Sequence, residues 1–482
     1  MFRSLASSLL SFLAILLLAF VFVLLWSGSE GLTFTRAELP GDRTTVAVIA
    51  EYAKANTVAE TEVKMETEEP ADEPKAGGSG NGANVVLWVS VSGFRNDYLE
   101  KAETPYLDQL VADGGSTNTM RPSFPCTTFP AHATMATGVL PGVHGIIADR
   151  LRLAEGQIEP LTDGSKLLVE PIWTTSTRQG VKTLVHDWPL STKQTGENAA
   201  AISLDSIDPE LTDEARFTAA FDAWKAHSAA ATAPDGSDKL RLVMLRLTDT
   251  LQAGLLHGPR GDDTYKAVTA FDAALKSFVE KVQAEWATLA PPDANLVIFL
   301  TTDHGMAEVE KNINIAKLLG PDMMANAEII SHDAVANLYF KALPGSEGEK
   351  KIFLSKFDSE LGKRIYFRTI RKEELPPEWG YANAERTGDR VLVLKSSYAF
   401  TDVETPEAVS TPTESNGHFG AFGYPVEESS RMSGEVILTG YPKSPASGAL
   451  GEVGQLSFHA TVCKLLGIEP AAGAVTDTLK LQ

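Results

Sequence analysis

The chain has 482 residues, 43% of them hydrophobic, and a formal net charge of −21 at pH 7. That length can bury a large core, enough for one big α/β domain with additions. The negative balance argues against binding to nucleic-acid polymers, which needs basic surface to displace counterions. Two cysteines, Cys126 and Cys463, lie far apart and cannot make a disulfide framework, so they read as two semi-buried thiols.

Arg3 precedes an uncharged, strongly apolar run from Leu9 to Trp26. The run is longer than a usual signal-peptide core and just long enough to span a bilayer. It reads as an uncleaved anchor over 1–30, although Ser27-Gly28-Ser29 offers a cleavage site. The positive residue lies before the span and acids follow it, so the N-terminus should stay in the cytoplasm and the rest be exported, periplasmic or extracellular. Residues 31–84 read as a tether with one helical candidate, Thr44–Ala59. Its second half is acidic, rich in Pro and Gly, and too poor in large apolar residues to offset its ordering entropy.

From Val85 strands and helices alternate. Val85–Val91 is a near-continuous apolar run, as a strand covered on both faces requires. Leu107, Leu110 and Val111 give the next helix its apolar stripe. Val181–Val185, Leu240–Leu247 and Ala294–Thr302 read as further central strands, with Asp213–His227 and Asp262–Trp286 as helices between them. The pattern predicts a mostly parallel sheet with helices on both faces and ligands at the strands' carboxyl ends. Ser92, Asp249 and Asp303 each follow such a strand, so their segments should converge at one edge. After Val335–Phe340 the pattern changes to a small α+β insert over about 345–400, with a helix at Ile352–Leu361 and strands at Arg364–Arg371 and Arg390–Lys395. Glu407–Gly423 is a Ser/Thr/Gly-rich loop containing His418, Glu435–Leu438 a returning strand and Ser457–Leu466 a closing helix.

The motifs along this domain are specific. They are GFR at 93–95, TPYLDQL at 104–110, RPSFP at 121–125, TFPAH at 128–132, TG at 137–138, HGI at 144–146 and TTDHGM at 301–306. INIAKLL at 313–319, VANLYF at 335–340, GH at 417–418 and CKLLGIEP at 463–470 follow in order. In these the chain from Val85 to about Gly473 resembles the nucleotide pyrophosphatase/phosphodiesterase family of the alkaline-phosphatase-like superfamily. The resemblance implies the alkaline-phosphatase-like fold. It also implies hydrolysis of phosphodiesters by a threonine hydroxyl at two zinc ions, which neutralise charge on the attacking and leaving oxygens.

Carried over one position at a time, the nucleophile matches Thr128, and an Asp-His ligand pair matches Asp303 and His304. A third His ligand matches His418, although the family has His-Gly where this chain reads NGHFG. Three ligand positions are degenerate. The Asp before Gly-Phe-Arg is Ser92, and the Asp and His of an Asp-x-x-Gly-His-x-x-Gly-Pro segment are Leu251 and Leu255. A phosphate-binding Asn is Ala131. Leucine coordinates nothing and a neutral serine hydroxyl is a poor zinc ligand, so neither metal keeps about four donors. Asp249 and His257, two residues outside the lost pair, would restore the set only through a rearranged loop. Against the ligand reading, Asp303 and His304 also read as shape-holding remnants and Thr128 as a helix N-cap, and His132 and His144 read as structural.

These residues lead to a membrane-anchored member of the family that has lost its two-metal site and acts by binding a protein or small molecule in the cleft. The alternative is a working metal-dependent phosphodiesterase with relocated ligands or a single ion. A phosphate- or sulfate-ester hydrolase of a neighbouring branch shares the fold but meets the same ligand losses.

Overall fold

The computed structural model describes residues 83–482, apart from 153–157, 162–163, 205–209, 342 and 344. The expected anchor and nearly all of the tether lie outside the described residues. Among the described residues no helix is long and apolar enough to cross a membrane.

The core is a nine-stranded, mostly parallel sheet. Its strands, in chain order with the helices that matter for the site, begin with β1 (Asn84–Val91), α1 (Pro105–Asp113), β2 (Gly115–Arg121) and α2 (Thr128–Thr137). They continue with β3 (Lys182–His186), β4 (Ile202–Leu204), α3 (Asp213–Ala230), β5 (Leu240–Leu247), α4 (Asp249–His257), α5 (Asp262–Ala284) and β6 (Asn295–Thr302). Four strands centred on β1 set the frame: β1 pairs in parallel with β5 and β6, and β5 with β3. All but the first residue of β1 is buried, which explains its unbroken apolar run.

Beyond β6 the chain builds a second, antiparallel sheet from β7 (Ala327–His332), β8 (Val335–Phe340), β9 (Phe367–Arg371) and β10 (Arg390–Leu394), with α6 (Glu347–Gly362) between β8 and β9. This sheet starts ahead of the boundary expected near residue 345, because β8 pairs with β7 and β10 rather than with the core sheet. The chain then returns as β11 (Gly434–Tyr441), antiparallel to both β6 and β2, passes through two short strands beside β2, and closes with α7 (Ser457–Leu466). One apolar cluster lies under α1, α3 and α5; another lies under α2 and α7 on the opposite face. The sheet is therefore covered on both sides and its carboxyl edge is where β1 and β6 release Ser92 and Asp303.

Candidate functional site

Three strand ends and one helix start make the site. The backbone N–H of Ser92 still donates to the Leu247 carbonyl at 3.0 Å, so β1 holds β5 to its last residue. The chain then turns at Gly93, with φ +70°, a conformation that favours glycine. The Gly93 N–H donates to Oδ1 of Asp303 at 2.9 Å, and the His304 N–H donates to the same oxygen at 2.8 Å. Asp303 thus ties the exits of β1 and β6 together, and it is fully buried.

Its other oxygen, Oδ2, has no hydrogen-bond partner. It lies 3.3 Å from Nε2 of His304 and 3.7 Å from Nδ1 of His132. His304 donates through Nδ1 to the Gly305 carbonyl at 2.8 Å, which leaves Nε2 to accept from the Thr128 hydroxyl at 3.2 Å. Thr128 is the first residue of α2. Its predicted cap role falls instead to Thr127, whose side chain makes no capping bond. Ala131, in the same turn, is buried.

His132 donates through Nδ1 to the Thr128 carbonyl at 2.8 Å and accepts from Ser90 at 2.9 Å, so it is structural, as is His144, which bonds Thr134. Burial lowers His132 to about 3, which makes it neutral at pH 7. Burial also opposes ionisation of Asp303, but His304, His132, the Gly93 amide and Arg246 outweigh it and leave the carboxyl below its ordinary range.

Arg246 is the residue that sequence reasoning missed. It was absorbed into the apolar run of β5, where a charge one residue before the strand end was the available signal. In the β1–β5 register it stands opposite Ser90, and Ser92 follows two residues on, so all three share one face of the sheet. Its Nε donates to the Ser92 hydroxyl at 3.1 Å. The place of the expected carboxylate is therefore held by a serine under a buried guanidinium.

Leu251 and Leu255 are buried on α4, in one apolar cluster with Cys126, Met306 and Phe422. Leu251 presses on the strand exit: a Cβ on Gly93 would stand 3.1 Å from Leu251 Cδ1. Asp249 and His257 do not restore the lost ligands. Each lies two residues from a leucine, about 200° around a helix, and so faces away from it. Asp249 instead accepts from the Asp213 N–H at 3.0 Å, while Asp213 accepts from the Thr248 N–H at 2.7 Å. His257 is exposed, 3.9 Å from Asp263. The rearranged loop is excluded because the segment is a regular helix.

His418 does not join Asp303 and His304 either. It is exposed, on a cavity of about 250 Å³ shared with His332 and Asp333. The ring stacked on His304 is Phe422, with centroids 4.1 Å apart and planes at 26°. Asn416-Gly417, Phe419-Gly420 and Phe422-Gly423 all have glycine in second place in this loop, and of their first residues Phe422 is the one stacked on His304, so the His-Gly register fits there and His418 lies outside it. Beside it, Nε2 of His332 stands 3.1 Å from Asp149 and 3.2 Å from Asp333. Burial would lower His332, but these two carboxylates outweigh it and raise it.

The donors do not fit two zinc ions. One place keeps Asp303, His304 and Thr128 but faces Ser92 and Arg246; the other offers Leu251, Leu255 and Phe422. Among the described residues no group of three or more His, Cys, Asp or Glu side chains is arranged to hold a metal ion.

The comparisons with known proteins bear on the same domain. Residues 86–425 match the type I phosphodiesterase / nucleotide pyrophosphatase family. An uncharacterised pyrophosphatase/phosphodiesterase of Schizosaccharomyces pombe is 25% identical over 376 residues, 72% of this chain and 71% of that protein. A bis(5'-adenosyl)-triphosphatase of Xenopus laevis is 24% identical, over 82% of this chain and 80% of its own. The solved structure of murine ectonucleotide pyrophosphatase/phosphodiesterase 5 superposes with a TM-score of 0.66 at 20% identity, covering 82% of this chain and 100% of that one. With the motifs and the fold, these matches place the chain in the type I phosphodiesterase / nucleotide pyrophosphatase family.

Proposed function

We propose that this protein is a membrane-anchored, exported member of the family that has lost the two-metal site and acts by binding a protein or small molecule in its cleft. The observation that carries this reading is the apolar plug: Phe422 stacked 4.1 Å from His304, in one cluster with Leu251 and Leu255. Three side chains without donors stand together where the resemblance calls for an Asp and two His. The Leu9–Trp26 run supplies the anchor and leaves the domain outside the cytoplasm, the side on which ectonucleotidase relatives are named.

A second reading, a working single-ion phosphodiesterase, draws on one feature. Asp303 Oδ2 is buried without a hydrogen bond, and Thr128 remains within 3.2 Å of His304. One experiment separates the two. The purified full-length chain is assayed on a nitrophenyl phosphodiester with added zinc, beside Thr128→Ala. Equal, background rates are expected; zinc-dependent turnover that vanishes in Thr128→Ala overturns the binding reading.

A further inference from the structure

We infer that Arg246 bars a divalent ion from this site: its guanidinium, seated on the Ser92 hydroxyl, claims the missing carboxylate even when that carboxylate is restored. The inference rests on the reading that the metal site is lost, and it assigns the cause to one residue.

Asp303 cannot be discarded, because its Oδ1 joins the β1 and β6 exits through two backbone amides. It remains a buried carboxylate, and such a charge needs a partner. Its Oδ2 lies 3.3 Å from Nε2 of His304. Arg246 is engaged with position 92 instead: it stands opposite Ser90 in the β1–β5 register, and its Nε donates to the Ser92 hydroxyl at 3.1 Å. A buried arginine stays charged.

The same placement excludes a metal in two ways. A divalent ion on Asp303 and His304 would stand beside a fixed positive charge. A carboxylate restored at position 92 would receive the Arg246 Nε–H that Ser92 now accepts at 3.1 Å, making a buried ion pair instead of a ligand. Replacing Ser92 alone should therefore fail, although it completes the donor set of one ion.

The test uses the full-length chain in detergent, with zinc binding read by titration calorimetry and by metal mass spectrometry after dialysis. Wild type and Ser92→Asp are expected to retain no zinc, and Ser92→Asp/Arg246→Met to bind at least about tenfold tighter than Ser92→Asp. A Ser92→Asp protein that binds zinc as tightly as the double variant overturns the inference while leaving the loss of catalysis in wild type untouched. Zinc-dependent turnover by wild type instead overturns the functional reading beneath it. A thermal-melting cycle guards against a double variant that does not fold. Ser92→Asp is expected to change the melting temperature more favourably beside Arg246 than in Arg246→Met. Strictly additive changes overturn the pairing of Arg246 with position 92.

Discussion

Phe422 shows how much one side chain can decide. Its ring covers His304 and belongs to the cluster that fills the second metal's place. Removing it should leave a cavity, so Phe422→Ala is expected to cost about 3 kcal/mol or more in urea unfolding. The buried histidines make a separate prediction. Burial lowers His132 and His144 to about 3 from an ordinary 6.5, so the unfolded chain binds protons that the folded one refuses. Their stabilising contribution is full above pH 6.5 and is lost as pH falls toward 3. Urea midpoints should drop between pH 6.5 and 5, and His144→Gln should reduce that slope by roughly 1.4 kcal/mol per pH unit. At this scale the sequence was legible where chemistry is written in residue type: Ser92, Leu251 and Leu255 announced missing donors. It was not legible where burial decides. Arg246 looked like an interruption of an apolar strand, and His418 drew the third-ligand assignment because Phe422 has no chemistry to notice.

Among the elements, β1, β5 and β6 could be read because both faces are covered, which demands continuous apolar runs. β2 could not be: GSTNTMR is mostly polar, and it is a strand because β11 pairs with it. The helix α4 was read as a loop segment. Its start is fixed by a partner far off in sequence, since Asp213 and Asp249 each accept from the backbone at the start of the other's helix. A further element effect sits in β11, where the register against β2 shifts between Gly434 and Val436. The shifted residue, Glu435, is buried, and burial pushes its carboxyl up to about 8 from 4.5. The folded state then holds a proton the unfolded chain releases, so this contribution is full below pH 4.5 and lost as pH rises through 8. Glu435→Gln, which cannot ionise, should stabilise the protein at pH 8 by on the order of 4 kcal/mol, with little effect at pH 4.5.

For the whole molecule, the prediction concerns where the domain sits. The full-length chain should fractionate with membranes and need detergent for release, whereas a chain lacking residues 1–30 but carrying a cleavable export signal should be soluble outside the cytoplasm. Salt-washed membranes that leave the full-length chain in the supernatant would contradict the anchor. The formal charge of −21 adds a second expectation, that the protein shows no retention on immobilised DNA at physiological salt.

The apolar plug also has an evolutionary direction. A carboxylate or imidazole introduced alone at position 251, 255 or 422 would enter a sealed apolar cluster with no ion to meet it, and Arg246 would remain beside the neighbouring place. Burying an unpaired polar group costs several kcal/mol, a large part of the roughly 5–15 kcal/mol that holds a domain folded. Each single step toward the family's donor set is therefore penalised before it is rewarded. With leucine, leucine and phenylalanine in one buried cluster, the barrier to such a change acts as a ratchet. On the binding reading proposed above, selection then acts on what the cleft holds, because single substitutions toward a metal site are disfavoured before any ion can bind.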